Sequence, residues 1–349
     1  DTVLDIFIRT NSGGEPLSFS NLLMSITTAN WKKRDARKVL PDTVKKVFAI
    51  GNPNFVISED FLLKTCLVLF NDNIKFQVKN FSRDIALTFD ENWDRVERSV
   101  IAAFTLLDSW GLNDASVRAK NAVIPIIYYI YYNNLENTIN KMTACQEEKK
   151  AMRKWLCISL LKGIFGGLPD TVLTRIRGVL KEHQGERVFP FDDIKAKFAG
   201  DASKNLSVTD ELIEGWLTIQ KEAPMCYPVL ALLYNHLNFD GQEKFHKDHL
   251  HPSSYFKALK KSDFANEDDY LYYTNPENWN SILNLQLLNS SLNESKLATP
   301  LDKWVTEKKI SLDDQLIPKN VSLDVKDFKK FIEARQVLLA GELMKVIEG

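Results

Sequence analysis

Histidine is scarce in this chain, five residues in 349, yet four of them (His236, His246, His249 and His251) are bunched into one short stretch. Its densest part reads Phe245-His246-Lys247-Asp248-His249-Leu250-His251-Pro252. A neutral imidazole can take a proton from water near pH 7. Downstream come Asn284-Leu285-Gln286-Leu287-Leu288 and then Asn293-Glu294-Ser295-Lys296. A carboxylate and an amide oxygen, Asp248 with Asn293, form the kind of oxygen pair that suits Mg²⁺ or Mn²⁺, hard cations that keep much of their water. A base for water, a cation for phosphate charge and groups holding both in line are what phosphodiester hydrolysis requires.

Such residues need particular elements to carry them. Neighbours on a strand point to opposite faces, so Asp248 and His249 can serve one centre only where the strand ends or bends, and Pro252 is consistent with an ending. Asn284 to Leu288 has strand composition. Ser290 or Ser291 can cap a short helix in which Asn293 and Lys296, three apart, share a face. The predicted order is strand, loop, strand, helix.

Asp248-His249-Leu250-x-Pro252, Asn284-Leu285-x-Leu287-Leu288 and Asn293-x-x-Lys296 together resemble the signature of the HNH, or His-Me finger, nucleases (D-H-I-x-P, N-x-x-x-L, N-x-x-K), with the spacing from Asn284 to Asn293 and on to Lys296 matching. The resemblance implies a ββα-metal core. In it His249 would be the general base and Asp248 and Asn293 the metal ligands. Asn284 would brace the loop carrying the base, and Lys296 would lie against a backbone phosphate. The chain departs from compact members in the segment between Pro252 and Asn284, which is longer than theirs. A narrower resemblance, to GmrSD-like type IV restriction enzymes and related phage-defence proteins, rests on Phe7-Ile8-Arg9-Thr10-Asn11-Ser12-Gly13-Gly14-x-Pro16-Leu17-Ser18, on Gly163 to Leu180 and on Phe331-Ile332-Glu333-Ala334-Arg335. The first of these looks like the closing motif of that family's ParB-like nucleotide-binding domain, whose DGQQR-type motif is not in the sequence. No nucleotide is therefore expected to bind here, and the chain is read as starting downstream of its natural beginning, with the upstream nucleotide-binding domain as a partner.

Around the motif, Lys244, Lys247, Lys257, Lys260 and Lys261 make the sequence locally basic, although Asp263, Glu267, Asp268 and Asp269 follow closely. Lys244, Lys247 and His251 are the candidates for DNA contact, set against the plainer reading of solvated strand residues; His246 is read in the same plain way. Globally, 45 Lys plus Arg balance 46 Asp plus Glu, so overall charge does not mark a nucleic-acid binder. Cys66, Cys145, Cys157 and Cys226 include no close pair, which excludes a zinc ribbon or a redox motif and fits reduced thiols in a cytoplasmic protein. The longest apolar run, Val123 to Tyr132, is too short to span a membrane and reads as a core helix whose tyrosines pack inward.

Elsewhere the apolar residues recur at helical spacing, for example Phe61, Leu62, Thr65 and Leu69, then Val96, Val100, Phe104 and Leu107. Asp170 is placed to cap a helix carrying Val172, Ile176 and Val179, and Phe328, Ile332, Leu339, Leu343 and Ile347 form one stripe of a long terminal helix. The expected class is α+β and predominantly α-helical: helical bundle regions plus a small ββα core. Its expected parts are 1–40, a remnant of the nucleotide-binding domain; 41–205, helical; 206–320, nuclease; and 321–349, a C-terminal helix. The expected activity is metal-dependent nicking or cleavage of foreign or modified DNA, in a protein that does not enter membranes and can oligomerise. Two rivals stand beside it: a non-catalytic DNA-binding or assembly module, and a nucleotide sensor built on the turn Asn11 to Gly14.

Overall fold

The computed structural model describes residues 19–77, 80–141, 143–239 and 243–348, with the backbone alone for 19–22. The strand expected at Val3 to Ile8 and the glycine turn Asn11 to Gly14 lie outside the described residues. Within them the chain is predominantly helical with one two-stranded antiparallel sheet, and no helix is long and apolar enough to cross a membrane. Two compact units emerge, interleaved in sequence: the described residues of 1–105, 119–139 and 165–190 belong to the first, and those of 106–118, 140–164 and 191–349 to the second.

In the first unit, helix Glu59–Phe70 starts where the Ser58 hydroxyl accepts the Phe61 amide and buries residues on every side, Leu62, Leu63, Cys66 and Leu67 among them. An all-round apolar helix must be enclosed. It packs on Ile124–Tyr132 and on Pro169–Glu182. Tyr128, Tyr129 and Tyr131 are buried as core residues, and the Tyr132 hydroxyl donates to the Leu69 carbonyl at 2.6 Å. The start of helix Pro169–Glu182 differs from expectation. Proline, pre-set for the first helical position, makes Leu168 the cap residue and puts Asp170 inside the first turn. Its carboxylate instead accepts from Lys64 Nζ at 2.6 Å and the Phe76 amide at 3.0 Å.

The second unit carries the sheet. Strand β1, Phe245–His249, pairs with β2, Leu285–Asn289, in the register Phe245 to Asn289 and His249 to Leu285. Helix Ser290–Lys296 follows β2 at once, capped by Asn289, one residue earlier than the expected serines, because the Asn289 side chain accepts the Leu292 amide at 2.9 Å. The long segment between the strands is ordered into short helices, Ser253–Ala258, Glu267–Thr274 and Pro276–Trp279. Cys66, Cys157 and Cys226 are buried free thiols and Cys145 is partly exposed.

The C-terminal helix, Phe328–Glu348, buries Phe328, Ile332, Leu339, Leu343 and Ile347 along its predicted stripe and packs against Asp210–Leu217 and Cys226–Leu233. From the same stripe comes Arg335, wholly buried with no carboxylate partner among the described residues. Its guanidinium donates to the carbonyls of Leu316 (3.0 Å), Leu283 (2.7 Å) and Leu285 (2.8 Å), with longer contacts to the Ile282 carbonyl and the Tyr234 hydroxyl. Burial pushes its pKa down to about 10. The five N–H donors of a guanidinium match a cage of carbonyls as no lysine can. The helix is thereby fastened to the entry of β2.

Candidate functional site

β1 ends at His249, and there the chain turns into Leu250 and His251. The turn is held by Asn284, fully buried just before β2. Its Oδ1 accepts the His251 amide at 3.0 Å, and its Nδ2 donates to the carbonyls of His251 (3.0 Å) and Trp279 (2.8 Å). The Leu250 amide adds a bond to the Asn284 carbonyl at 2.8 Å. One primary amide thus satisfies three backbone groups that burial would otherwise leave orphaned.

Asp248 and His249 are both paired within β1, so their side chains diverge as strand neighbours do, and the bend expected to turn both toward one centre is not formed at these two residues. Asp248 faces helix Ser290–Lys296: its Oδ2 accepts from Lys296 Nζ at 2.9 Å and from Gln286 Nε2, its cross-strand partner, at 3.0 Å. Oδ1 makes no hydrogen bond with a described residue, and the side chain keeps 17% exposure. Asn293, half-buried one turn before Lys296, likewise makes none. A carboxylate oxygen and an amide oxygen without a partner among the described residues are the chemistry a hard cation prefers, and Asp248 and Asn293 are the residues that would hold one. Among the described residues no three His, Cys, Asp or Glu side chains gather into a fuller cage.

Lys296 differs from the expected phosphate contact. Its side chain has no exposed surface, and the ammonium is committed to Asp248, to the His249 carbonyl at 2.5 Å and to the face of Trp304 at 5.5 Å. Burial lowers its pKa while Asp248 opposes the shift. It therefore braces the end of β1 from beneath and has no open face for a nucleic acid.

His249 points the other way and is 9% exposed. Its Nε2 lies 2.9 Å from Asn280 Oδ1, and the Asn280 Nδ2 donates to Glu222 Oε2 at 2.7 Å. Since the carboxylate takes the amide N–H, Oδ1 must accept, so Nε2 carries the imidazole proton and Nδ1 the lone pair. Lys221 Nζ stands 3.5 Å from Nδ1. Burial, and then Lys221, push the His249 pKa down to about 4. The result is a neutral imidazole with one nitrogen fixed as donor and the lone pair of the other facing the Lys221 ammonium.

The remaining candidates lie around this pair. Lys247 is half-buried, and its ammonium donates to the Lys221 carbonyl, so it props a loop. Lys244 is exposed, and His246 reaches Ser290 Oγ at 3.1 Å. His251 cannot meet DNA. It is 1% exposed and packs edge-on against Phe328 and Phe331, at centroid distances of 5.5 and 4.7 Å. Of the flanking lysines, Lys261 pairs with Glu267 at 2.7 Å and Lys257 lies over Trp279. Nothing in the sequence spacing of Lys221, Glu222 and Asn280 marks them as partners of His249.

The buried His251 has a consequence for acid stability. Its folded pKa, pushed down to about 3 by burial and then by Lys296 and Arg335, lies below that of the unfolded chain. The stability from keeping it neutral is complete above the unfolded pKa and is lost as pH falls, each unit below about 6.5 costing up to about 1.4 kcal/mol. Urea unfolding at pH 7, 6 and 5 should therefore show a steeper loss for the wild-type chain than for His251→Phe. Parallel losses would mean that His251 is not held neutral.

Comparison of the chain with protein-family models and with curated proteins gives no match.

Proposed function

We propose that the chain is a metal-dependent endonuclease that nicks or cleaves DNA, with His249 as general base. The observation that carries this reading is the fixed tautomer of His249, a neutral imidazole with Nε2 held as donor and its lone pair on Nδ1, on the strand residue that follows Asp248, a carboxylate with one oxygen to spare. Water attacks phosphorus as its proton passes to Nδ1. The P–O3′ bond breaks, its electron pair leaves with the 3′ oxygen, which takes a proton from solvent, and a 5′-phosphate remains. A Mg²⁺ or Mn²⁺ ion held by Asp248 and Asn293 would supply positive charge against the phosphate oxygens. Foreign or modified DNA as the target is supported only by the sequence resemblance of Phe7 to Ser18, Gly163 to Leu180 and Phe331 to Arg335.

The rival, a DNA-binding or assembly module without catalysis, draws on one observation: Lys296 already neutralises Asp248 from the protein side. The deciding experiment is conversion of supercoiled plasmid to open circle in Mg²⁺, Mn²⁺ or EDTA. Nicking that needs metal is expected. DNA binding indifferent to metal, with no nicking of unmodified, hydroxymethylated or phosphorothioated DNA, would favour the module.

A further inference from the structure

The proposed base is not free in this structure, and the group beside it is a cation. Lys221 forms no ion pair with a described residue; its ammonium stands 3.5 Å from His249 Nδ1, a distance at which a hydrogen bond is weak. The pair stands where a proton-accepting contact to water has to form. We propose that Lys221 is a catalytic residue: its ammonium leaves His249 Nδ1 for a non-bridging oxygen of the phosphodiester under attack, and the nucleophilic water takes the place it vacates. This rests on the nuclease reading.

The backbone at Lys221 is built for such an exchange. Gln220 bridges to Ser281, the Lys221 amide donates to the Asn280 carbonyl at 2.9 Å, and the Ile282 amide donates to the Ile219 carbonyl at 3.0 Å. Lys247 holds the Lys221 carbonyl from β1. The main chain is therefore anchored on both sides, while the four-carbon side chain retains the torsions to swing by a water's width. The same short loop supplies Glu222, which orients Asn280 and through it His249. Base and cation are thus positioned by one piece of chain.

Electrostatics point the same way. Burial lowers the pKa of the Lys221 ammonium, and Asp248 and Glu222 raise it. A half-buried ammonium hydrogen-bonded, among the described residues, only to a neutral ring gains when an anion arrives, and Asp248, whose charge favours the protonated lysine, gives its Oδ2 to Lys296 and Gln286 instead. A phosphodiester, singly charged with two non-bridging oxygens, supplies the missing counter-charge. Lysine binds phosphate as a point charge.

The test compares Lys221→Gln and Lys221→Arg with wild type in the full chain, reading single-turnover nicking in Mg²⁺ and, in EDTA, the salt dependence of binding to a short DNA duplex. The Gln variant should nick about 100-fold more slowly, the scale of losing one donor to transition-state charge. Its slope of log K against log salt should fall by about 0.9, one phosphate contact. Arg should restore most of both. If wild type nicks and the Gln variant nicks equally fast, the role of Lys221 is overturned and the nuclease reading stands; a changed slope with an unchanged rate, a contact to a spectator phosphate, overturns it equally. A wild-type chain that neither binds nor nicks overturns both.

Discussion

Replacing His249 by alanine is expected to slow metal-dependent nicking by about 10² to 10⁴-fold, the contribution of a positioned general base. The imidazole has an acceptor nitrogen left over, because Asn280 holds the other as a donor. Alanine also opens a hole beside Trp279, whose ring lies 6.0 Å away, so a loss of rate alone would not separate chemistry from packing. Free imidazole separates them: it should restore part of the rate of His249→Ala by entering the vacated space, and it should do nothing for Asn293→Ala. An alanine variant that nicks like wild type would remove His249 from the mechanism.

Arg335→Met is expected to destabilise the chain by about 3 to 5 kcal/mol, the cost of three buried carbonyls losing their donor less the relief of an unburied charge. Two effects oppose each other. Methionine spares the chain the burial of a guanidinium, but it leaves the carbonyls of Leu283, Leu285 and Leu316 without their donor, each worth about 1 to 3 kcal/mol when buried and unpaired. Three orphaned acceptors outweigh one relieved charge. Chemical denaturation would measure the loss, and a change below about 1 kcal/mol would mean that water replaces the donors. Since Leu283 and Leu285 flank Asn284, which secures the turn after His249, nicking should fall along with stability.

The sequence carries the helices well because their burial is periodic. The stripe from Phe328 to Ile347 and the enclosed run at Ile124 to Tyr132 can both be read from spacing alone. Two strands followed by a short helix are legible from composition and turn residues instead, since neither strand alternates in burial, with cap positions displaced where Asn289 or Pro169 competes with its neighbours. Depth is what spacing leaves out. Lys296 and His251 have the residue types of a surface, yet Asp248 and Trp304 enclose one while Phe328 and Phe331 enclose the other. Lys221, Glu222 and Asn280 reach His249 through pairing between segments far apart in sequence, and no local pattern encodes such a meeting.

The interleaving of the two units bears on how this chain can be inherited. A fragment beginning after residue 205 keeps the sheet and its helix but loses residues 106–118, 140–164 and 191–205 of the same unit. With them goes helix Gln146–Leu161, which packs on Cys226–Leu233 and sends Arg153 to the Asn235 side chain at 2.6 Å. A recombination event that exchanged one unit for another would have to cut at every crossing of the chain between them. The candidate site is consequently not a portable cassette: it has to travel with nearly the whole chain, and shuffling its motif alone into another gene would deliver a hairpin without its support.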